Sequence, residues 1–232
     1  MELKVAQDIY DEIRSFINGA TISIVLLSDK LNDAIVEDIE RKAGSGVRSK
    51  VITSDRNWSR WLENRKNSYG YDEERRFNKE LSALLNRILF FERFPYIVMT
   101  IFVAISIITF LKTYTVSLYL ITEIITGIIV IVISVVISRN KVKSYKYEYS
   151  LKEQELEKIK GQYNDIRQHL SKYLEVVELQ NPPGFSILVA DDKAIITSTS
   201  LDIKNNKEID FIEEISKEKA LTFIEKITSM QA

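Results

Sequence analysis

Two stretches almost free of charge, separated by four residues, constrain this chain more than anything else in it. They are Tyr96 to Leu111 and Val116 to Ser138, and the sequence on either side is rich in Lys, Glu and Arg. The second, VSLYLITEIITGIIVIVISVVIS, is about 23 residues or roughly 34 Å as a helix, enough to cross a hydrocarbon core of ~30 Å. The first, YIVMTIFVAISIITFL, is about 16 residues or roughly 24 Å and needs local thinning, or snorkelling by Arg93 and Lys112, to span. A buried helix pair in a soluble core is the competing reading. Neither stretch is N-terminal, so neither reads as a cleaved signal peptide.

Only Lys112, Thr113, Tyr114 and Thr115 separate the two runs, which forces an antiparallel hairpin with both flanks on one side. That turn holds a single Lys, whereas Arg87, Arg93, Arg139, Lys141, Lys143 and Lys146 crowd the opposite ends. The positive-inside rule then predicts a two-span protein of the cell membrane, with the lipid bilayer as its first partner and both termini cytoplasmic. The 232 residues include no Cys, which fits that compartment and excludes a disulfide scaffold, a thiol enzyme and a Cys-ligated zinc site. A net charge of -1 lacks the basic footprint of a general nucleic-acid binder, so no nucleic acid is expected as partner.

The helices continue beyond the apolar runs. Phe77, Leu81, Leu84, Ile88 and Phe91 step by four, three, four and three, a heptad seam. Val142, Tyr145, Tyr149, Leu156, Ile159, Tyr163, Ile166, Leu170 and Tyr173 hold one register, with Lys152 in the one place where an apolar residue is missing. Gly161 is the expected bend, costing roughly 1 kcal/mol relative to Ala. The second stalk helix is about 33 residues and the first about 23, so around 10 residues of seam are unmatched within the chain. The seams therefore pair within the chain or between chains.

Outside the hairpin the pattern changes. Leu3 to Ile17 reads as an amphipathic helix, Thr21 to Leu27 as a buried strand, Leu31 to Lys42 as a helix and Val47 to Thr53 as a second strand. Ser28, Asp29 and Asn32 offer N-caps for the second helix, and Gly44 and Gly46 mark its end. This is an α, β, α, β unit with a parallel sheet. At the other end, Tyr173 to Leu179 reads as a strand and Asn181 to Gly184 as a turn. Phe185 to Ala190 and Ala194 to Ser198 form a hairpin around Asp191, Asp192 and Lys193, and Asp210 to Met230 is a closing helix. Neither end alone has the strands for a covered sheet. The expected layout is an α/β head made of residues 1–70 and 173–232, stalk helices at 71–94 and 139–172, and spans at 95–112 and 116–138.

TISIVLLSD, GVRSKVITSD and above all FSILVADDKAIITSTS resemble one half of a phospholipase D-like domain. Active members of that family carry His-x-Lys-x4-Asp, then Gly-Ser-x-Asn after a short strand; the His takes up a phosphoryl group and the Lys holds its oxygens. On that pattern Phe185 stands for the His, Ile187 for the Lys and Asp192 for the Asp, while Thr197 to Ser200 lacks the Gly and the Asn. The resemblance implies an α/β fold without catalytic residues, cofactor or metal. Because the family builds its site from two halves around a twofold, it also implies a homodimer. His169, followed by Lys172, has the wrong spacing for the motif and falls at the end of the stalk helix.

Glu123 is a carboxylate roughly 10 Å inside the second span, where acids are costly and face a partner, water or an oligomer interior. With several hairpins around an axis, Glu123 would form an acidic ring and Thr126 would face the same way one turn deeper. The hairpin with its flanking coiled coil loosely resembles the mitochondrial calcium uniporter family. Tyr119 to Thr126 can be laid on that family's Trp-Asp-x-x-Glu-Pro-x-Thr, with Leu120 in place of the Asp and Ile124 in place of the Pro. A protonated or snorkelling Glu123 is the plainer reading. Arg56, Trp58, Arg60, Trp61 and Arg65 form a basic and aromatic segment, suited to headgroups, to an anion or to packing. There is no Gly-rich phosphate loop and no HExxH. The expected function is binding, sensing or scaffolding at the cytoplasmic face, toward a protein or small molecule the sequence does not name. An oligomeric cation channel comes second and a membrane-bound phosphodiesterase third.

Overall fold

The computed structural model describes residues 1–113, 118–202 and 208–231. The chain divides into two compact units, Met1–Tyr69 with Gln162–Ala232, and Gly70–Gly161. Tyr114 and Thr115 of the expected turn, and Val116 and Ser117 of the second apolar run, lie outside the described residues.

The first unit is built on a seven-stranded mixed sheet. Its elements are β1 (Glu2–Val5), α1 (Ala6–Gly19), β2 (Ser23–Ser28), α2 (Asp33–Gly44), β3 (Arg48–Thr53) and α3 (Arg56–Ser68). After the helical insertion come β4 (Leu174–Glu178), β5 (Ser186–Ala190), β6 (Lys193–Thr197), β7 (Ile209–Ile215) and α6 (Lys217–Gln231). The strand order is β1-β7-β6-β5-β2-β3-β4. β2, β3 and β4 run parallel, and all other pairs are antiparallel. The parallel part is the one whose strands are joined through helices, whereas the consecutive strands β5, β6 and β7 run antiparallel.

Alternation along the strands sends side chains to two cores. Ile24, Leu26, Leu188 and Ala190 join the apolar faces of α1 and α2 in the larger one. Leu27, Ile52, Ile187 and Val189 pack under Ala220 and Ile224 of α6 in the smaller. Both faces of the sheet are covered, which is why its strands read as continuous apolar runs. Local signals act where they were expected. Asn32 caps α2 by accepting from Ile35 N at 3.0 Å, α2 ends at Gly44, and Gly46 takes φ 95°, open to glycine at no steric cost. Asp29 does not cap the helix; its Oδ1 accepts from Gly184 N at 2.9 Å.

Two expected helices are shorter than their patterns suggest. Residues 2–5 form β1, and residues 209–215 form β7 where the closing helix was expected to begin. Phe211, Ile212 and Ile215 suit either a helix face or a strand. Pairing decides it, because β7 lies between β6 and β1 and completes the hydrogen bonds of both. β1 is a short edge strand with Glu2 and Lys4 on it, and among the described residues its strand partner is β7. The segment after β3 is the helix α3, N-capped by Asp55, whose Oδ1 accepts from Asn57 N at 3.1 Å.

The second unit consists of parts of two long helices, α4 (Tyr71–Thr113, 43 residues) and α5 (Leu118–Tyr173, 56 residues). Each is long and apolar enough to cross a membrane. Leu81, Leu84, Ile88 and Leu156 are buried on the heptad seam, with Phe77, Phe91, Val142, Tyr145 and Tyr149 half-buried. Lys152, the gap in the register, forms an ion pair with Glu80. Thus within this unit the seam is matched inside one chain. α5 runs through Gly161 without interruption.

Within the apolar segments the pattern turns over. Ile101, Ile105, Ile108, Ile128 and Ile133 are exposed, while Gly127, Ser134 and Ser138 are buried between the helices. The ring of Phe102 lies on Gly127 so closely that a Cβ there would sit 1.9 Å from it. Pro95 has no N–H, so the carbonyl four residues earlier, that of Phe91, has no donor within its own helix. Ser138 Oγ of α5 donates to that carbonyl. A proline inside an apolar helix is tolerated when a neighbouring hydroxyl answers the freed oxygen in this way.

Candidate functional site

Of the positions singled out in the first unit, Phe185 and Ile187 lie at the start of β5, and Asp192 lies in the turn beyond its other end. Ile187 is fully buried, and Phe185 packs at the margin of the same core, under Ala220 and Ile224 of α6. The two places that the phospholipase D-like pattern gives to a nucleophile and a phosphate clamp are therefore hydrocarbon, roofed by a helix. Asp192 is 95% exposed and pairs with Lys217 Nζ at 3.2 Å.

Its neighbour Asp191 holds the structural position instead. At φ 54° its carboxylate accepts from Ile22 N at 2.8 Å, from Thr21 N and Ser23 N at 2.9 Å, and from Thr21 Oγ1 at 3.2 Å. It pins the β5–β6 hairpin to the start of β2. Burial pushes its pKa up, but the bonds from Ser23, Thr21 and Ile22 outweigh that and hold it lowered to about 2. A scan for Asp-Asp at the tip of a two-strand pattern finds the pair; only the geometry tells which member is tied down.

The hydroxyls at Thr197 to Ser200 are occupied internally. Thr197 Oγ1 donates to Phe211 O at 2.7 Å and accepts from Thr199 N at 3.1 Å. Ser198 Oγ donates to Asp210 Oδ1 at 2.8 Å, and Ser200 Oγ to Asp202 Oδ1 at 2.6 Å. Among the described residues no buried side-chain polar atom lacks a partner. These hydroxyls are thus bonded to neighbouring groups of the same unit.

His169 is exposed on α5, its Nδ1 2.9 Å from Gly44 O at the C-terminal end of α2. Its ring also meets that of Tyr173 edge to face at 5.7 Å. The basic and aromatic segment is α3. Trp58 and Trp61 meet edge to face at 5.5 Å and pack against the larger core. Arg65 lies over the Trp61 and Tyr69 rings at 5.3 and 4.8 Å, and its Nε donates to Glu40 Oε1 at 2.6 Å. Burial pushes the Glu40 pKa up despite that pair. Arg56 pairs with Glu178 at 3.2 Å. Packing thus uses the tryptophans and Arg65, while Arg56 is held in a surface ion pair.

In the second unit Glu123 is half-buried, turned toward α4, and its Oε1 accepts from Ser106 Oγ at 3.3 Å. Thr126 is exposed and its Oγ1 donates back to Thr122 O at 2.8 Å. Glu123, Thr122 and Thr126 nevertheless share one open groove of about 530 Å³, walled by Val98, Ile105 and Val130. Sequence spacing found Glu123 but not Ser106, because the register between antiparallel helices is not written in either helix alone. Among the described residues no cluster of ligands fit for a metal ion occurs.

No protein-family model matches the chain, and neither curated proteins nor solved structures gave a match. What the structure defines is a mixed α/β unit whose chain is interrupted by a two-helix unit with two apolar segments long enough to cross a membrane.

Proposed function

We propose that this chain is a membrane-anchored binding or scaffolding protein, with two spans, both termini cytoplasmic and a head that is a catalytically inactive, phospholipase D-like half. The observation that carries the anchor is the uncovered apolar surface of α4 and α5, whose isoleucines face outward along both segments. Burying such a surface in lipid offsets the cost of leaving it in water, at about 25 cal/mol per Å². The inactive reading draws on Phe185 and Ile187 under α6. A homodimer follows from the resemblance to a family that joins two halves.

A second reading, an oligomeric cation channel ringed by Glu123, draws on the groove shared by Glu123, Thr122 and Thr126. Ser106 already engages the carboxylate within one hairpin, which favours the scaffold. The mass of the detergent-solubilised particle tests the choice. Two chains, without turnover of bis-nitrophenyl phosphate, are expected. Four or five chains passing a cation current that Glu123→Gln abolishes would replace the scaffold by the channel, and phosphodiester turnover would overturn the inactive head.

A further inference from the structure

Beside Pro95 a groove of about 640 Å³ crosses the boundary between apolar and charged sequence in the second unit. One end is walled by Tyr96, Met99, Ile131 and Val135; the other carries Glu92, Arg139, Lys143 and Lys146. Tyr96 and Met99 are exposed, so the apolar end is open from the side.

The charges of this groove do not cancel. Lys146 Nζ pairs with Glu92 Oε1 at 2.8 Å. Arg139 and Lys143 stand one helical turn apart on the same face of α5, and among the described residues neither forms an ion pair. Glu92 is the only acid in the lining, so two cations remain without a counter-charge. Their depth is fixed by the sequence, since Tyr96 opens the first apolar run and Arg139 directly follows the second.

We propose that this groove binds an anionic phospholipid, with its phosphate on Arg139 and Lys143 and an acyl chain along Met99, Ile131 and Val135. The proposal rests on the membrane reading above and goes beyond it. An elongated site, apolar at one end and doubly cationic at the other, has the polarity of such a lipid at the depth where headgroups lie. A zwitterionic lipid brings its own cation toward Arg139 and Lys143 and fits less well. Ser138, which lines the groove, bonds the Phe91 carbonyl and so ties the two helices together beside it.

The test uses the full chain, expressed in membranes and purified in mild detergent with equal phosphatidylglycerol and phosphatidylcholine, with retained lipid counted by native mass spectrometry. Wild type is compared with Arg139→Gln/Lys143→Gln and with Arg93→Gln/Lys141→Gln, which removes the same charge at similar depth outside the groove. Wild type and the second double variant should retain phosphatidylglycerol in preference. The first should retain it roughly thirtyfold less, as removing two interfacial cations implies. Each single variant, Arg139→Gln or Lys143→Gln, should show part of that loss. Equal retention of both lipids by wild type, or equal losses in the two double variants, would overturn the site. Alkaline extraction of the membranes separates the two levels: release of wild type into the supernatant would overturn the membrane reading itself, whereas a chain that stays in the pellet and shows no lipid preference overturns the groove alone.

Discussion

The two halves of the α4–α5 pair, one in the charged stretch and one in the apolar stretch, solve the same packing problem in opposite ways. In the charged stretch the seam is Leu81, Leu84, Ile88 and Leu156, and the outward face is Lys and Glu. In the apolar stretch the seam is Gly127, Ser134 and Ser138, with Glu123 bonded to Ser106, and the outward face is isoleucine and valine. Water rewards apolar seams because it expels them, whereas lipid is as apolar as leucine and gives no such drive. There, close approach over small residues and hydrogen bonds between helices must hold the pair. On the membrane reading, one register along one pair of helices changes chemistry where its solvent changes.

The largest effect should come from emptying the water-side seam. Leu84→Ala should cost about 2–4 kcal/mol of stalk stability, as a deleted buried side chain does. Ile108→Ala, on the outward face of the apolar stretch, should leave the thermal unfolding midpoint in detergent nearly unchanged. Equal losses would break the comparison.

Next comes Gly127→Val, which forces the Phe102 ring away and should cost about 1–3 kcal/mol through overpacking. The neighbouring Ile128→Val, facing outward, is the control, and both are read by thermal unfolding in detergent.

Ser138→Ala sharpens the polar half of the contrast, because it leaves the Phe91 carbonyl without its donor and should cost about 1–2 kcal/mol. Adding Pro95→Ala restores a backbone N–H four residues from that carbonyl. The double variant should then recover part of the loss in a double-mutant cycle, and strict additivity would contradict the proposed exchange of donors.

The smallest effect concerns Lys152. Its hydrogen bond and charge hold the Glu80 pKa below the usual carboxylate range. A carboxylate lowered in the folded state contributes stability above its ordinary pKa and loses it as the pH falls through the folded value. Acidification should therefore weaken the wild-type stalk slightly. Lys152→Leu, which completes the heptad and leaves Glu80 only its pair with Arg76, should reduce that dependence and raise the midpoint a little. A helicity titration by circular dichroism reads both.

Much of this contrast is legible in the sequence, and what is not has a physical reason. The apolar runs and the heptad positions are periodic, so each helix announces its own face, and Lys152 appears as a gap before its partner Glu80 is known. The inner face of the apolar segments is harder to read, since Gly127, Ser134 and Ser138 stand among isoleucines that would suit either side. Pro95 signals a freed carbonyl, but only the antiparallel register brings Ser138 to it. In the first unit, β1 and β7 pair residues about two hundred positions apart, and no local pattern carries that information. The preference of Asp191 over Asp192 is likewise set by the backbone of β2. That Phe185 and Ile187 are apolar is legible in the sequence; that α6 covers them is not.

Placing the apolar segments in a bilayer is the claim on which the rest depends, and a topology measurement reaches it most directly. The chain has no Cys, so single cysteines at Ser15, Thr113 and Ser229 can be probed on intact cells with an impermeant maleimide. Thr113→Cys should label at once, and Ser15→Cys and Ser229→Cys only after lysis. Labelling of Ser15→Cys on intact cells, with none at Thr113→Cys until lysis, would invert the orientation; labelling of all three only after lysis, with the chain in the soluble fraction, would contradict the membrane hairpin itself.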